Sequence, residues 1–261
     1  MNFAMSKRNR AKAYYEEAHN NFLNENAKAS NNGKISTRKY MKPVNVHQKQ
    51  FVKSMKQNQL TVGAGCAGTG KTLLALFTGI QLINNPDSPI EKLTYIRANI
   101  DDREEKDLGA LPGDLLDKVR HLAYPILDNL ELFMESQTVE YLLVEERIEI
   151  LPFMMMRGRS FNNRFIIIDE AQNVTPKQMK TVLTRCGETS KMVLIGDPNQ
   201  CDIDPMRNGL KDLEWRMARK LELCKEEGVE APIDMGLVHF TRDDIVRSYL
   251  TRFVLEMYDI A

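Results

Sequence analysis

Three groups of residues in this 261-residue chain have the types and spacing that chemistry on phosphates requires. Gly65-Cys66-Ala67-Gly68-Thr69-Gly70-Lys71-Thr72 fills the pattern of a glycine, four residues, a second glycine, a lysine and a hydroxyl residue. Glycines at such spacing let successive backbone N–H groups curl toward one point, and a helix that follows adds the positive end of its dipole. Lys71 is placed to reach the β- and γ-phosphates of a nucleoside triphosphate, and the Thr72 hydroxyl suits Mg²⁺, a hard cation that takes oxygen ligands. Asp169 and Glu170 close the run Phe165-Ile166-Ile167-Ile168. An acid at the end of a buried strand supplies the metal-side carboxylate, and Glu170 beside it is the candidate that orients or deprotonates water, a role worth about 10²- to 10⁴-fold in rate. Gly196-Asp197-Pro198-Asn199-Gln200 closes another apolar run, which puts Gln200 where it can touch the γ-phosphate or the attacking water.

The elements that must hold these groups are read from apolar runs and punctuation. A β-branched strand at about Gln59 to Ala64 leads into the loop, and the apolar segment Leu73 to Ile83 behind it is long enough for a helix. Strands are expected at Leu93 to Ile96, Arg147 to Leu151, Phe165 to Ile168, Lys191 to Gly196 and Leu237 to Phe240. Four consecutive apolar residues before Asp169 fit a parallel strand covered on both faces. Helices are expected from Val46, over Asp114 to Ser136 with Pro125 interrupting, from Pro176 to Arg185 with Thr175 as N-cap and Gly187 as C-cap, beyond Asn208-Gly209-Leu210 to about Glu227, and from Asp243 to Tyr258. Strands that alternate with helices predict an α/β fold, a parallel sheet between helical layers. Met154-Met155-Met156 reads as adaptable packing and His47 as a surface residue.

Bulk composition narrows the class. Formal net charge is zero, yet residues 1–42 hold nine Lys and Arg against three Glu, so a basic extension precedes an acidic body over 43–261. Such an arm either grips phosphate backbones or is simply solvated. No run reaches the roughly 18 apolar residues of a membrane span, and the N-terminus lacks a signal-peptide core, so a soluble cytoplasmic protein with no membrane partner is expected. Cys66, Cys186, Cys201 and Cys224 are scattered without CxxC spacing, which argues against a zinc site or a disulfide framework.

Met156-Arg157-Gly158-Arg159, Asp169-Glu170-Ala171-Gln172-Asn173, Leu183-Thr184-Arg185 and the loop itself together resemble the PhoH family of phosphate-starvation-type ATPases, over roughly Val46 to Tyr258. The likeness is to a short, stand-alone member of the kind a phage encodes, which would work in the host cytoplasm. It implies a RecA-like P-loop fold, ATP and Mg²⁺ as cofactors, ATP hydrolysis, and kinship with the first core domain of superfamily 1 helicases, whose GDxxQ turn matches Gly196 to Gln200. It further implies that Gln48 reads adenine and that Arg247 is an arginine finger. Cys66 stands where many relatives have proline.

A helicase of that kind closes two lobes around ATP. After Gly196 only 65 residues remain, fewer than the about 100–150 of a typical domain. A monomer of this chain is then expected to lack the second lobe; if a neighbouring subunit supplies it, a closed ring with heterologous interfaces, such as a hexamer, is the natural arrangement. Arg157 and Arg159, or the basic arm, are expected to meet RNA or single-stranded nucleic acid, or a neighbouring subunit. The alternative is a nucleotide-gated binding or assembly module with slow turnover and no unwinding. A small-molecule kinase is disfavoured because Glu170 and Gln200 suit water activation, and a GTPase because no NKxD-type motif occurs.

Overall fold

Six strands, paired in parallel throughout, form one sheet in the computed structural model of the chain, which describes residues 34–98, 124–156, 158–231 and 233–246 together with 250, 253, 254 and 257. The strands are β1 (Leu60–Gly65), β2 (Lys92–Arg97), β3 (Ile148–Pro152), β4 (Arg164–Asp169), β5 (Lys191–Gly196) and β6 (Met235–Phe240), in spatial order β3-β2-β4-β5-β1-β6. The order decides what meets. β5 lies between the strand that feeds the phosphate loop and the strand that ends in Asp169, in register from Ala64 beside Gly196 to Ile168 beside Leu194. Because parallel strands share one direction, all three C-terminal ends open on the same edge.

Side chains alternate faces along a strand, so an unbroken apolar run requires cover on both sides. In β4, Phe165 and Ile167 belong to one core with Leu76 and Ile80 of α2 (Lys71–Ile83), Phe51 of α1 (Val46–Gln57) and Leu142 of α3 (Ser136–Val144). Ile166 and Ile168 belong to the other, with Met179 of α4 (Pro176–Leu183) and Leu213 and Met217 of α5 (Gly209–Glu227). α4 begins with a complete capping box between Thr175 and Gln178 and with proline in its first turn. Asn208 caps α5 by accepting from the Leu210 and Lys211 N–H groups, and Gly228 ends it in the left-handed region at φ 67°.

Four expectations need correction. The helix placed over Asp114 to Ser136 is seen from 124 to 131, breaks over 132–135 and is followed by the separate helix α3; its earlier part lies outside the described residues. Gly187 is not a C-cap, since α4 ends at Leu183 with Thr184 as its cap; a Cβ on Gly187 would instead sit 1.8 Å from Asn162 Oδ1. The final helix does not start at Asp243: Arg242–Asp244 is a single 3₁₀ turn closed by a capping box from Thr241, and Ile245 that follows is extended, whereas residues 250, 253, 254 and 257 are helical as expected. His47 is half-buried, with its Nδ1 2.7 Å from Asp244 Oδ2.

Of the basic extension, residues 1–33 lie outside the described residues. The rest rests on the body: the Ile35 N–H donates to Asn84 Oδ1 at 2.7 Å, Asn84 Nδ2 donates back to the Ile35 carbonyl at 2.8 Å, and Tyr40 packs edge-on against Phe77.

Candidate nucleotide site

Backbone geometry makes the loop. Gly65 has φ 128° and Gly70 φ 80°, where side chains other than glycine's are strained, and a Cβ at Gly65 would lie 2.0 Å from the Phe240 carbonyl oxygen. β6 therefore presses on the loop from the side. The Val246 N–H donates to the Gly68 carbonyl at 3.1 Å, so the segment after β6 also holds it. From the other flank, Gln48 of α1 is buried, donating from Nε2 to the Thr69 carbonyl at 2.9 Å and accepting from the Val44 N–H at 2.8 Å. Lys71 opens α2, and its ammonium donates to the Gly65 and Cys66 carbonyls at 2.6 and 2.7 Å and to Thr69 Oγ1 at 3.2 Å. Burial lowers its pKa, against the upward pull of Asp197 and Asp169. The Cys66 thiol moves the other way, pushed up by burial and by the Asp197 charge, which keeps it protonated and a poor nucleophile.

Across the cleft, Asp169 ends β4. Thr72 Oγ1 donates to Asp169 Oδ2 at 3.1 Å, the Tyr95 hydroxyl to the same oxygen at 2.8 Å, and the Glu170 N–H to Oδ1 at 3.0 Å. Burial and the neighbouring Glu170 charge raise the Asp169 pKa, and the three donors oppose that rise. Glu170 has a left-handed backbone at φ 55°. Its Oε1 lies 3.6 Å from Arg97 Nη2, at the end of β2, and its Oε2 accepts from Gln172 Nε2 at 2.8 Å. Lys71, Thr72, Asp169, Glu170, Asp197 and Gln200 all line one open cleft of about 360 Å³. Residues from three separate strand ends are thus brought to one edge of the sheet.

The donor set suits Mg²⁺. Thr72 and Asp169 present a hydroxyl and a carboxylate within hydrogen-bond reach of each other, beside a loop shaped for phosphates, and Mg²⁺ takes few protein oxygens and completes its shell with phosphate and water. Among the described residues no group of three or more His, Cys, Asp or Glu could hold a metal by itself.

Arg157 and Arg247 lie outside the described residues. Arg159 is engaged within the subunit: Nη2 meets both oxygens of Glu149 at 2.9 and 3.2 Å, and the guanidinium lies 4.9 Å from the Phe161 ring centre. Three residues that touch the site were not singled out for it in the sequence. Tyr95 sits inside an apolar strand run and reads as core. In the sequence Gln172 reads only as part of the Asp169-to-Asn173 segment, and Arg97 only as the residue that follows the strand Leu93 to Ile96.

A parallel sheet with a glycine loop after one strand, a carboxylate after another and a polar turn after the strand between them is the RecA-like architecture of a P-loop nucleoside triphosphatase, a nucleotide-binding class of α/β protein. Comparison with known proteins narrows this, since residues 40–259 match the family described as PhoH-like protein. The chain belongs to that family. It is 34% identical over 255 residues to the PhoH-like protein of Bacillus subtilis (strain 168), an alignment covering 98% of this chain and 72% of that protein. It is also 34% identical over 217 residues to Protein PhoH of Escherichia coli (strain K12), covering 82% and 57% respectively. The chain thus spans between 57% and 72% of the length of these two relatives. Among solved structures it is similar to the large terminase of a thermophilic bacteriophage, at 12% identity and a TM-score of 0.43, over 83% of this chain and 50% of that one. Among the described residues no helix is long and apolar enough to cross a membrane.

Proposed function

We propose that this protein binds ATP with Mg²⁺ and hydrolyses it, and that it does so in a ring of identical subunits, such as a hexamer, acting on RNA or single-stranded nucleic acid. The observation that carries the hydrolysis is the convergence of Lys71, Thr72, Asp169, Glu170 and Gln200 on one cleft, with the Thr72 hydroxyl already bonded to Asp169. In this reading the loop N–H groups and Lys71 hold the β- and γ-phosphates, and Gln48 reads the base by exchanging its bonds to the Thr69 carbonyl and the Val44 N–H for the base edge. Thr72 and Asp169 hold Mg²⁺, which supplies charge neutralisation at the phosphate oxygens. Glu170 accepts a proton from, or orients, the water that attacks the γ-phosphate, and Gln200 positions that water. Arg247 of a neighbouring subunit supplies positive charge in trans, a contribution of about 10³- to 10⁵-fold where arginine fingers act.

The nucleic-acid part of the reading rests on the basic extension and on Arg157, because Glu149 and Phe161 already occupy Arg159. One observation favours the slower alternative, a nucleotide-gated binding module: Glu170 lies between Arg97 and Gln172, an arrangement that restrains a base. Phosphate release measured with and without RNA and single-stranded DNA separates the two. Stimulation of about tenfold supports a motor, and indifference supports the binding module. Native mass spectrometry tests the ring, which a strict monomer in the presence of ATP rules out. For hydrolysis itself the test is Glu170→Gln, expected to retain ATP binding while turnover falls about 10²- to 10⁴-fold.

A further inference from the structure

The sheet ladder between β4 and β5 ends at the pair Ile168 and Leu194, before either strand reaches its functional residues. Beyond that pair the two strand ends are joined by side chains of the short turn Ala171–Asn173. Gln172, 2% exposed, does most of the joining. Its Nε2 donates to Glu170 Oε2 at 2.8 Å and to the Gln200 carbonyl at 3.1 Å, while its Oε1 accepts from the Asp197 N–H at 3.1 Å. The partners fix the orientation of the amide, since two acceptors face the nitrogen and a donor faces the oxygen. Gly196 makes room, because a Cβ there would lie 2.4 Å from Gln172 Oε1. The neighbours reinforce the join: the Asp202 N–H donates to Asn173 Oδ1 at 3.0 Å, and the Cys201 thiol lies 3.3 Å from the Gln172 carbonyl oxygen.

We infer that Gln172 is a positioning residue that couples the Asp197–Gln200 segment to Glu170. The inference rests on the proposed hydrolysis at this cleft and adds a route to it. One buried amide grips both ends of the segment that carries Gln200 and, through the same nitrogen, the carboxylate that faces water. A shift of Gln200 or of the Asp197 backbone on meeting a γ-phosphate must therefore move or release Gln172. Glu170, held on its other side by Arg97, then changes its aim. The left-handed backbone at Glu170 gives the side chain a fixed root, so its carboxylate position is set by these two partners rather than by the strand.

The test is a double-mutant cycle of Gln172→Met with Glu170→Gln, read in single-turnover hydrolysis of Mg·ATP and in the affinity for a fluorescent ATP analogue. Gln172→Met keeps the length of the side chain and removes its hydrogen bonds. The expected result is a rate loss of about tenfold or more with analogue affinity within about threefold, and a further loss below about threefold when Glu170 is already Gln. A wild-type rate in Gln172→Met overturns the inference, as does an equal loss in both backgrounds, which marks a merely structural role, or loss of analogue binding. Should Gln172→Met not fold, Gln172→Glu keeps the shape and the acceptor for the Asp197 N–H while setting an acceptor against Glu170 and the Gln200 carbonyl; in the Glu170 background it should lower the rate by at least the same factor, and a wild-type rate overturns the inference. An unaltered rate in Glu170→Gln alone would instead defeat the reading of hydrolysis on which the inference stands.

Discussion

Replacing Tyr95 by Phe removes one oxygen from a residue that is 1% exposed and leaves its ring in the core. What disappears is the 2.8 Å hydrogen bond to Asp169 Oδ2. Burial and the Asp169 charge push the ionisation of Tyr95 far above its ordinary value, so the phenol is a donor across the neutral range. A hydrogen bond to a charged acceptor is worth about 1.5–3 kcal/mol. Thr72 donates to the same oxygen and the Glu170 N–H to the other, so the carboxylate keeps two of three partners and the loss belongs at the lower end. About 1.5–2 kcal/mol corresponds to a 10- to 30-fold fall in the Mg²⁺-dependent rate near neutral pH. The pH dependence carries a sign. A donor to the ionised form holds the Asp169 pKa down against burial, so its removal raises that pKa and moves the acid limb of the rate profile toward higher pH. Phosphate release measured across the weakly acid to weakly alkaline range, at several Mg²⁺ concentrations, reads both effects, and thermal unfolding checks that the fold is intact. A Tyr95→Phe variant with the wild-type rate and an unmoved acid limb would refute the view that this phenol sets the state of the metal-side carboxylate.

Other outcomes follow from the same geometry. Lys71→Ala removes the ammonium placed for the phosphates, and ATP affinity by titration calorimetry is expected to fall by about 100-fold or more; unchanged affinity would defeat the loop assignment. Gly65→Ala drives a Cβ to 2.0 Å from the Phe240 carbonyl at a φ of 128°, and about 2–6 kcal/mol of stability should be lost, read as a lower denaturation midpoint. Asp169→Asn removes a carboxylate whose folded pKa is raised by burial and by Glu170, so at neutral pH the ionised form opposes folding. Relative to wild type, the ligand-free variant should gain in Tm as pH rises through the folded pKa and lose that gain as pH falls toward the ordinary Asp value of about 4, where wild type becomes neutral as well, while its hydrolysis collapses. A Tm difference that does not rise with pH would contradict the sign.

The parts of the site that could be read from the sequence are those whose signal is local. The loop glycines, Lys71 and Thr72 lie within one short stretch, Asp169 ends an apolar run, and Thr175 caps a helix that starts with proline. Each states its geometry within a few residues. Tyr95 and Gln172 do not. An aromatic in Leu93-Thr94-Tyr95-Ile96 signals core, and only the register of β2 against β4, which sets Tyr95 beside Ile167 and Arg97 beside Asp169, shows that its hydroxyl and the next side chain but one belong to the cleft. Gln172 becomes informative only once β4 and β5 are neighbours. The boundary errors have the same origin. Thr241 and Asp244 form a capping box, a helix-start signal, yet Asp244 is also bonded to His47 and so is tied back to α1, and the turn that follows the box is 3₁₀ rather than the first turn of the helix seen at 250, 253, 254 and 257. Gly187 looks like a helix stop by position, but close approach of Asn162 and Phe161 is what demands it.

Among the described residues the cleft gathers three acids and one lysine, and it satisfies them internally. The Lys71 ammonium takes the Gly65 and Cys66 carbonyls, Asp169 takes three donors, and Glu170 is divided between Arg97 and Gln172. Each of these contacts uses a group that a bound triphosphate and its cation would engage. Binding is then an exchange of partners rather than an addition of them, and the free energy of each exchange is a difference between two satisfied states. Such an arrangement lets modest changes in position select between them. The strand order makes the exchange collective: with β5 between β1 and β4, whatever meets the loop and Asp169 also lies against Asp197 and Gln200, and those reach Glu170 through a single buried amide. A loop and an acid placed on directly adjacent strands would leave no such intermediary.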